Sequence, residues 1–85
     1  MELWELTKTV FGNKEIRLFS SLEKVKEYAE KENNLLILTV LKKRENKKDV
    51  DLVKVLDNLI KVISDQYYNE RNEKYTLERI EIDQF

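Results

Sequence analysis

The chain has 85 residues, with 16 basic and 17 acidic side chains and no histidine, cysteine or proline. Without cysteine it can form no disulfide and offers no thiolate, and without histidine it lacks the commonest general base and metal ligand. The only glycine, Gly12, excludes a glycine-rich phosphate loop. We therefore expect one domain over residues 1–85, with no catalytic residue, no cofactor and no metal.

Charged residues make up 39% of the chain and apolar residues 41%, a balance that is compatible with a folded domain. No segment approaches the roughly 20 consecutive apolar residues of a membrane span. Glu2 and Glu5 stand where a secretory signal peptide carries basic residues. The sequence therefore predicts a cytoplasmic protein that makes no membrane contact.

The first nineteen residues have the pattern of a β-hairpin. Residues 3–10 alternate between apolar and polar side chains, and residues 15–19 do so again, as expected for strands with one buried face. Between them, Gly12-Asn13 is a hairpin signal because glycine tolerates a positive φ at the first turn position. The pattern predicts two antiparallel strands joined by a tight turn.

A helix is predicted to follow the hairpin and to end near Asn33. Ser20 and Glu23 have the spacing of a capping box, in which each side chain binds the backbone N–H of the other residue. Apolar residues then recur at helical spacing at Leu22, Val25 and Ala29. Asparagine suits the end of a helix because it tolerates the left-handed conformation.

Residues 35–41, LLILTVL, are apolar at every position except Thr39. Because the run is short and lies between polar clusters, it predicts a strand buried on both faces in the centre of the sheet. A buried helical turn that leads into the next helix is the alternative that this pattern leaves open. The charged residues 42–48 predict a loop.

A long helix is predicted from its cap residue Asp49 to about Asn69. Its apolar positions cover roughly half of the circumference, which is wider than the usual stripe of about 100°. Within that half, a short coiled-coil-like seam repeats at intervals of three and four residues: Val53, Leu56, Ile60, Ile63 and Tyr67. We expect this seam to face the sheet and the flanking Val55 and Val62 to lie outside the core.

The last predicted element is a strand over residues 75–82. Its apolar residues change phase between Leu77 and Ile80, and this shift predicts a β-bulge near Glu78-Arg79. The predicted element order is β-β-α-β-α-β. It indicates an α+β fold of two layers, with the helices on one face of a mixed sheet.

Two segments, WELTKTVFGNKEIRLFSSLEKVKEYAE and YTLERIEID, carry a resemblance to other proteins. Their order of strand, turn, strand ending in Phe, Ser-Ser cap, Lys/Glu-rich helix and closing strand resembles a pattern common in small bacterial and phage proteins of unknown function. The resemblance implies neither an activity nor binding residues. It implies an accessory protein of a phage or mobile element, which would act in the host cytoplasm.

Five basic residues precede the long helix, at Lys42, Lys43, Arg44, Lys47 and Lys48. They are the best candidates for nucleic-acid binding, because Lys and Arg neutralise phosphates. No aromatic residue interleaves with them for base stacking, and the net charge of the chain is −1. A solvated loop is the simplest interpretation, and a contact with an acidic protein surface is a third.

The apolar surface of the long helix exceeds what packing on one sheet requires, so that either the first helix or a protein partner is expected to cover its flank. Val55 and Val62 lie on its flanks, and Tyr68 points about 100° away from Tyr67. We expect Val55, Val62 and Tyr68 to contact that partner. Homodimerisation through helix 49–69 is one such contact, since two-fold self-association is the commonest form of oligomer.

The expected function is that of a small non-enzymatic accessory protein that binds another protein. With the phage resemblance, the target would be a host defence protein that the chain inhibits. The alternative is a dimeric nucleic-acid-associated regulator that uses residues 42–48. A small-ligand binder is disfavoured because no convergent polar groups stand within the apolar segments.

Overall fold

The computed structural model describes residues 2–82, which form three strands and three helices. The strands are β1 (Glu2–Val10), β2 (Asn13–Phe19) and β3 (Glu73–Glu81). The helices are α1 (Leu22–Lys31), α2 (Leu35–Glu45) and α3 (Val50–Arg71). The predicted α+β class is confirmed, although the element order is β-β-α-α-α-β.

The sheet has the strand order β2-β1-β3, and both pairs of neighbouring strands are antiparallel. The prediction of a mixed sheet is wrong because the segment expected to form its central strand is helical. β1 is central instead, and its side chains alternate between the two faces. Trp4 and Leu6 are buried against the helices, so Glu5 and Thr7 lie on the opposite face.

The hairpin turn lies one residue earlier than predicted. Val10 pairs with Asn13, so the two turn residues are Phe11 and Gly12, with φ angles of 49° and 82°. Positive φ at both positions is the feature of a type I′ turn, which matches the twist of the strands. The Phe11 N–H donates to the Asn72 carbonyl at 3.3 Å, which ties the turn to the end of α3.

The cap of α1 is Ser21 rather than Ser20. The Ser21 hydroxyl accepts a hydrogen bond from the Lys24 N–H at 3.2 Å, so the predicted capping box does not form. The predicted end is close to the observed one, because Asn33 follows the helix with φ at 53°. α1 packs into a core shared with β1 and α2 and made of Trp4, Leu6, Val25, Ala29, Ile37 and Leu41.

Residues 35–41 form the first part of α2, so the predicted central strand is wrong and the helical alternative is the observed one. The Asn34 side chain starts this helix by accepting from the Ile37 N–H at 3.0 Å. α2 is apolar on several sides because it packs against α1, α3 and the sheet core, a situation that hides helical periodicity. The predicted loop 42–48 is shorter, since the helix continues to Glu45.

α3 begins as predicted at the cap residue Asp49, whose side chain accepts from the Leu52 N–H at 3.2 Å. Its coiled-coil-like seam packs on α2 and the edge strand β3 rather than across the sheet, with Leu56 and Ile63 buried. The helix extends to Arg71, two residues beyond the predicted end. Neither α3 nor any other helix within residues 2–82 has the length and apolar character needed to cross a membrane.

The predicted bulge near Glu78-Arg79 is absent from β3 as the structure describes it. The pairing of β1 with β3 runs without interruption from Glu2↔Glu81 to Val10↔Glu73. The apolar residues change phase because they serve different faces of the sheet. Leu77 packs against the core, whereas Ile80 has the opposite parity and lies on the other face.

Replacing Asp49 with alanine should lower the free energy of unfolding by about 0.5–2 kcal/mol, because α3 loses its N-cap. The matched control is Asp51→Ala, which removes the same charge from the first turn but leaves the cap in place. Urea denaturation followed by circular dichroism measures both variants. An equal loss of stability in the two variants would contradict the capping role of Asp49.

Candidate protein-binding surface

α3 carries a second apolar stripe on the side away from its core contacts. Val55, Leu59 and Val62, here called the outer stripe, are 61%, 44% and 62% exposed. Their spacing of four and three residues places them on one side of the helix. The structure thus puts Val55 and Val62 outside the core, while their role in partner binding stays a prediction.

The outer stripe belongs to a longer heptad pattern. Leu52 precedes it by three residues, and Gln66 and Asn69 continue it, so that the intervals alternate between three and four residues. This alternation is the a/d spacing of a coiled coil. The pattern is apolar over its first three turns and carries neutral amides at its end, which makes it a suitable seam for another helix.

One flank of the outer stripe is acidic. Asp51, Asn58 and Asp65 are seven residues apart and directly precede the a positions, which makes them g positions of the heptad. Neither carboxylate forms an ion pair within residues 2–82. The e positions on the other flank include Leu56 and Ile63, which are already buried.

Tyr68 lies on a different side of α3 from the outer stripe. At 100° per residue, it is about 140° away from Val55 around the helix axis. Tyr68 is 44% exposed, and its ring is covered in part by the Lys74 ammonium, which is 4.8 Å from the ring centroid. The structure therefore does not bring Tyr68 together with Val55 and Val62.

The five basic residues predicted as a nucleic-acid candidate do not act as one group. Lys43 forms an ion pair with Asp57, and Arg44 is held over the Trp4 ring. A shallow groove beside them is lined by Trp4, Leu22, Val40, Lys43, Arg44, Lys47 and Val53. Because Arg44 already covers Trp4, this aromatic ring is not free to stack on a base. The remaining cations Lys42, Lys47 and Lys48 are exposed.

Arg44 has a structural role that sequence reasoning missed. Its guanidinium lies 5.1 Å from the centroid of the Trp4 ring, and it donates a hydrogen bond to the Leu77 carbonyl at 3.1 Å. These contacts join the end of α2 to β1 and β3. Nothing in the local sequence signals them, because the three residues are separated by more than thirty positions.

A small cavity of about 70 Å³ lies among α2, α3 and β3, with Ile37, Ile60 and Leu77 in its lining. Ligand pockets are usually about 300–1,000 Å³, so this cavity is a packing gap. Tyr75 also lines it, and its hydroxyl donates to the Glu73 carboxylate at 3.0 Å. Burial raises the pKa of Tyr75 well above its ordinary value, and the hydrogen bond and charge of Glu73 raise it further.

Comparison of the chain with protein-family models, curated proteins and solved structures finds no match. Within residues 2–82, no three Asp or Glu side chains are grouped so that they could hold a metal ion. Function is therefore inferred from the exposed surfaces of this chain.

The raised pKa of Tyr75 predicts a loss of stability at high pH. Tyrosine in an unfolded chain has a pKa of about 10. Below that pH the contribution of Tyr75 is complete, and above it the unfolded chain releases a proton that the folded chain retains. We expect the urea midpoint of the wild type to fall relative to that of Tyr75→Phe between about pH 9 and about pH 11.5.

Tyr68→Phe is the matched control, because it removes the same hydroxyl from an exposed position. The comparison cancels the titration of lysines, which all three proteins share. If the difference in urea midpoint between the wild type and Tyr75→Phe stays constant over this pH range, the ionisation of Tyr75 is not coupled to folding.

Proposed function

We propose that the protein is a protein-binding module and that the outer stripe of α3 binds an amphipathic helix of another protein. The observation that carries this proposal is the exposure of Val55, Leu59 and Val62 in a chain of which 39% is charged. Removing apolar surface from water is favourable by roughly 25 cal/mol per Å², and the part that exceeds the entropic cost of association stabilises a complex. Clustered apolar side chains on an otherwise polar surface are typical of an interaction site.

The heptad spacing supports a helix as the bound element. Leu52 and Leu59 occupy a positions and Val55 and Val62 occupy d positions, so a partner helix can insert its side chains between them. Recognition of this kind uses an apolar face with residues at i, i+3, i+4 and i+7. The partner segment is therefore expected to be an amphipathic helix of at least three turns.

The acidic flank supports a partner with basic residues beside its apolar face. In an antiparallel pair of α3 helices, Asp51 of each copy would face Asp65 of the other, because both lie seven residues from Asn58. In a parallel pair, the g positions would face e positions that are already buried. Neither arrangement supplies a cation, so we favour a different chain. The homodimer through helix 49–69 stays a prediction.

The wider biological role remains part of the proposal. The resemblance of the hairpin, cap and closing strand to small phage proteins supports an origin in a phage or mobile element. For a protein of that origin, we propose inhibition of a host defence protein as the outcome of binding. The nucleic-acid alternative gains no support from the surface, since Lys43 and Arg44 are engaged by Asp57 and Trp4.

The proposal is tested with two synthetic helical peptides that carry leucine at a and d positions. One has lysine at its e and g positions and the other has glutamate. We expect the basic peptide to bind, and Val62→Glu to weaken this binding at least about 10-fold because the new carboxylate would be desolvated in the interface. Binding is measured by fluorescence anisotropy.

Val50→Glu is the matched control, because Val50 is as exposed as Val62 but lies on another side of α3. It changes the net charge equally and should leave binding unchanged. Failure of the basic peptide to bind at about millimolar concentration, where the binding free energy is only about −4 kcal/mol, would contradict the proposal. Equal losses in the two variants would also contradict it.

A further inference from the structure

The face of the sheet that points away from α1 and α2, here called the open face, carries no other element of residues 2–82. Ile16 and Leu18 on β2 are 57% and 58% exposed there. They share this face with Glu5 and Thr7 of the central strand, as the register Thr7↔Ile16 and Glu5↔Leu18 shows. A bare sheet face with exposed branched side chains is a candidate interface.

The charges of the open face are arranged in two separate rows. Glu5 is paired with Glu78 across the strands, and like charges directly opposite each other are destabilising. The next row, two residues further along each strand, contains Thr7 and is uncharged. The row after it is basic, because Thr9 there lies between Lys14 and Lys74. Lys74 also contacts the Tyr68 ring, whereas Lys14 has no ion pair within residues 2–82.

We infer that the open face binds a second copy of this chain through a two-fold axis that crosses the strands at Thr7. Rotation about this axis places the acidic row of one copy against the basic row of the other. Glu5 of each copy then lies over Thr9 of the other, between Lys14 and Lys74. Glu78 lies over Lys74, whose ammonium exchanges its contact with the Tyr68 ring for that carboxylate. Each carboxylate pair thereby gains the cations that it lacks in the monomer, which is the self-complementarity that an isologous interface requires.

The opposite orientation is disfavoured by the same charges. A two-fold axis parallel to the strands would place Lys14 over Lys74 and Glu5 over Glu5 of the second copy. It would add like-charge contacts to those already present within each sheet. In the favoured orientation, Ile16 packs beside Ile16 of the second copy in the uncharged central row. The attraction between the acidic and basic rows thus favours packing in which the strands of the two copies run in opposite directions.

The size of the open face predicts a weak dimer. Three strands of nine residues or fewer cover about 15 Å by 30 Å, or roughly 450 Å² per copy, at the usual strand spacing and rise. Standard interfaces bury about 800 Å² per partner. We therefore expect association in the high micromolar range, and the measurement must extend to about 1 mM.

Sedimentation equilibrium tests the inference with two complementary charge-reversal variants. The first carries Glu5→Lys and Glu78→Lys, and the second carries Lys14→Glu and Lys74→Glu. Each variant alone places like charges against each other and should weaken self-association at least about 10-fold. An equimolar mixture should associate again, and the chain with all four substitutions should self-associate as the wild type does. General attraction between oppositely charged variants would explain association in the mixture. It would not explain self-association of the chain with all four substitutions, which requires the proposed arrangement of rows.

Val62→Glu provides the control, because it alters α3 and should leave self-association unchanged. Circular dichroism checks the fold, and Ile16→Glu is the second route if a double variant does not fold, since it places two carboxylates at the centre of the interface. A wild type that is monomeric at about 1 mM overturns the inference. Self-association that survives the first variant, or that is lost in Val62→Glu, also overturns it.

Discussion

The packing of α1 and α2 against Trp4 and Leu6 is the contact on which the rest of the structure depends. Val25 and Ala29 of α1 have no exposed surface, and they share one core with Trp4, Leu6 and the α2 residues Ile37 and Leu41. A three-stranded sheet offers room for little more than this pair of helices. α3 therefore packs on the outer side of α2 and on the edge strand β3.

This arrangement determines which apolar surfaces remain uncovered. The helices occupy one face of the sheet, so Ile16 and Leu18 have no cover from residues 2–82 on the other face. α3 uses the seam around Leu56 and Ile63 for the core and presents the outer stripe to solvent. The two surfaces differ in their charges: acidic residues flank the outer stripe, whereas the open face has one acidic and one basic row with an uncharged row between them. We therefore propose a different partner for each surface.

The parts of the fold that sequence predicts correctly are those with local causes. The hairpin follows from strand alternation and Gly12, and the start of α3 follows from the cap residue Asp49. The errors of one residue at Ser20 and Gly12 arise because a neighbouring serine or turn position offers nearly the same local chemistry. Strand register and packing determine which serine caps α1 and which two residues form the turn, and a local sequence pattern gives no information on either.

The larger error at residues 35–41 has a physical reason. A helix buried on several sides and a strand buried on both faces are both continuously apolar, so neither shows its period. The contacts of Arg44 with Trp4 and Leu77 were missed because they join residues far apart in the chain. The candidate surface was predicted in part: Val55 and Val62 share one exposed side, while the position of Tyr68 required the structure.

One side of α3 belongs to the core, and the other is uncovered apolar surface. Leu56 and Leu59 are the same residue type, three positions apart on this helix, and are 4% and 44% exposed. Their alanine variants, compared by urea denaturation at low protein concentration, test this claim most directly. Leu56→Ala should lower the free energy of unfolding by about 2–5 kcal/mol, and Leu59→Ala by less than about 1 kcal/mol. Equal losses would contradict the account, because Leu59 would then be packed within the monomer.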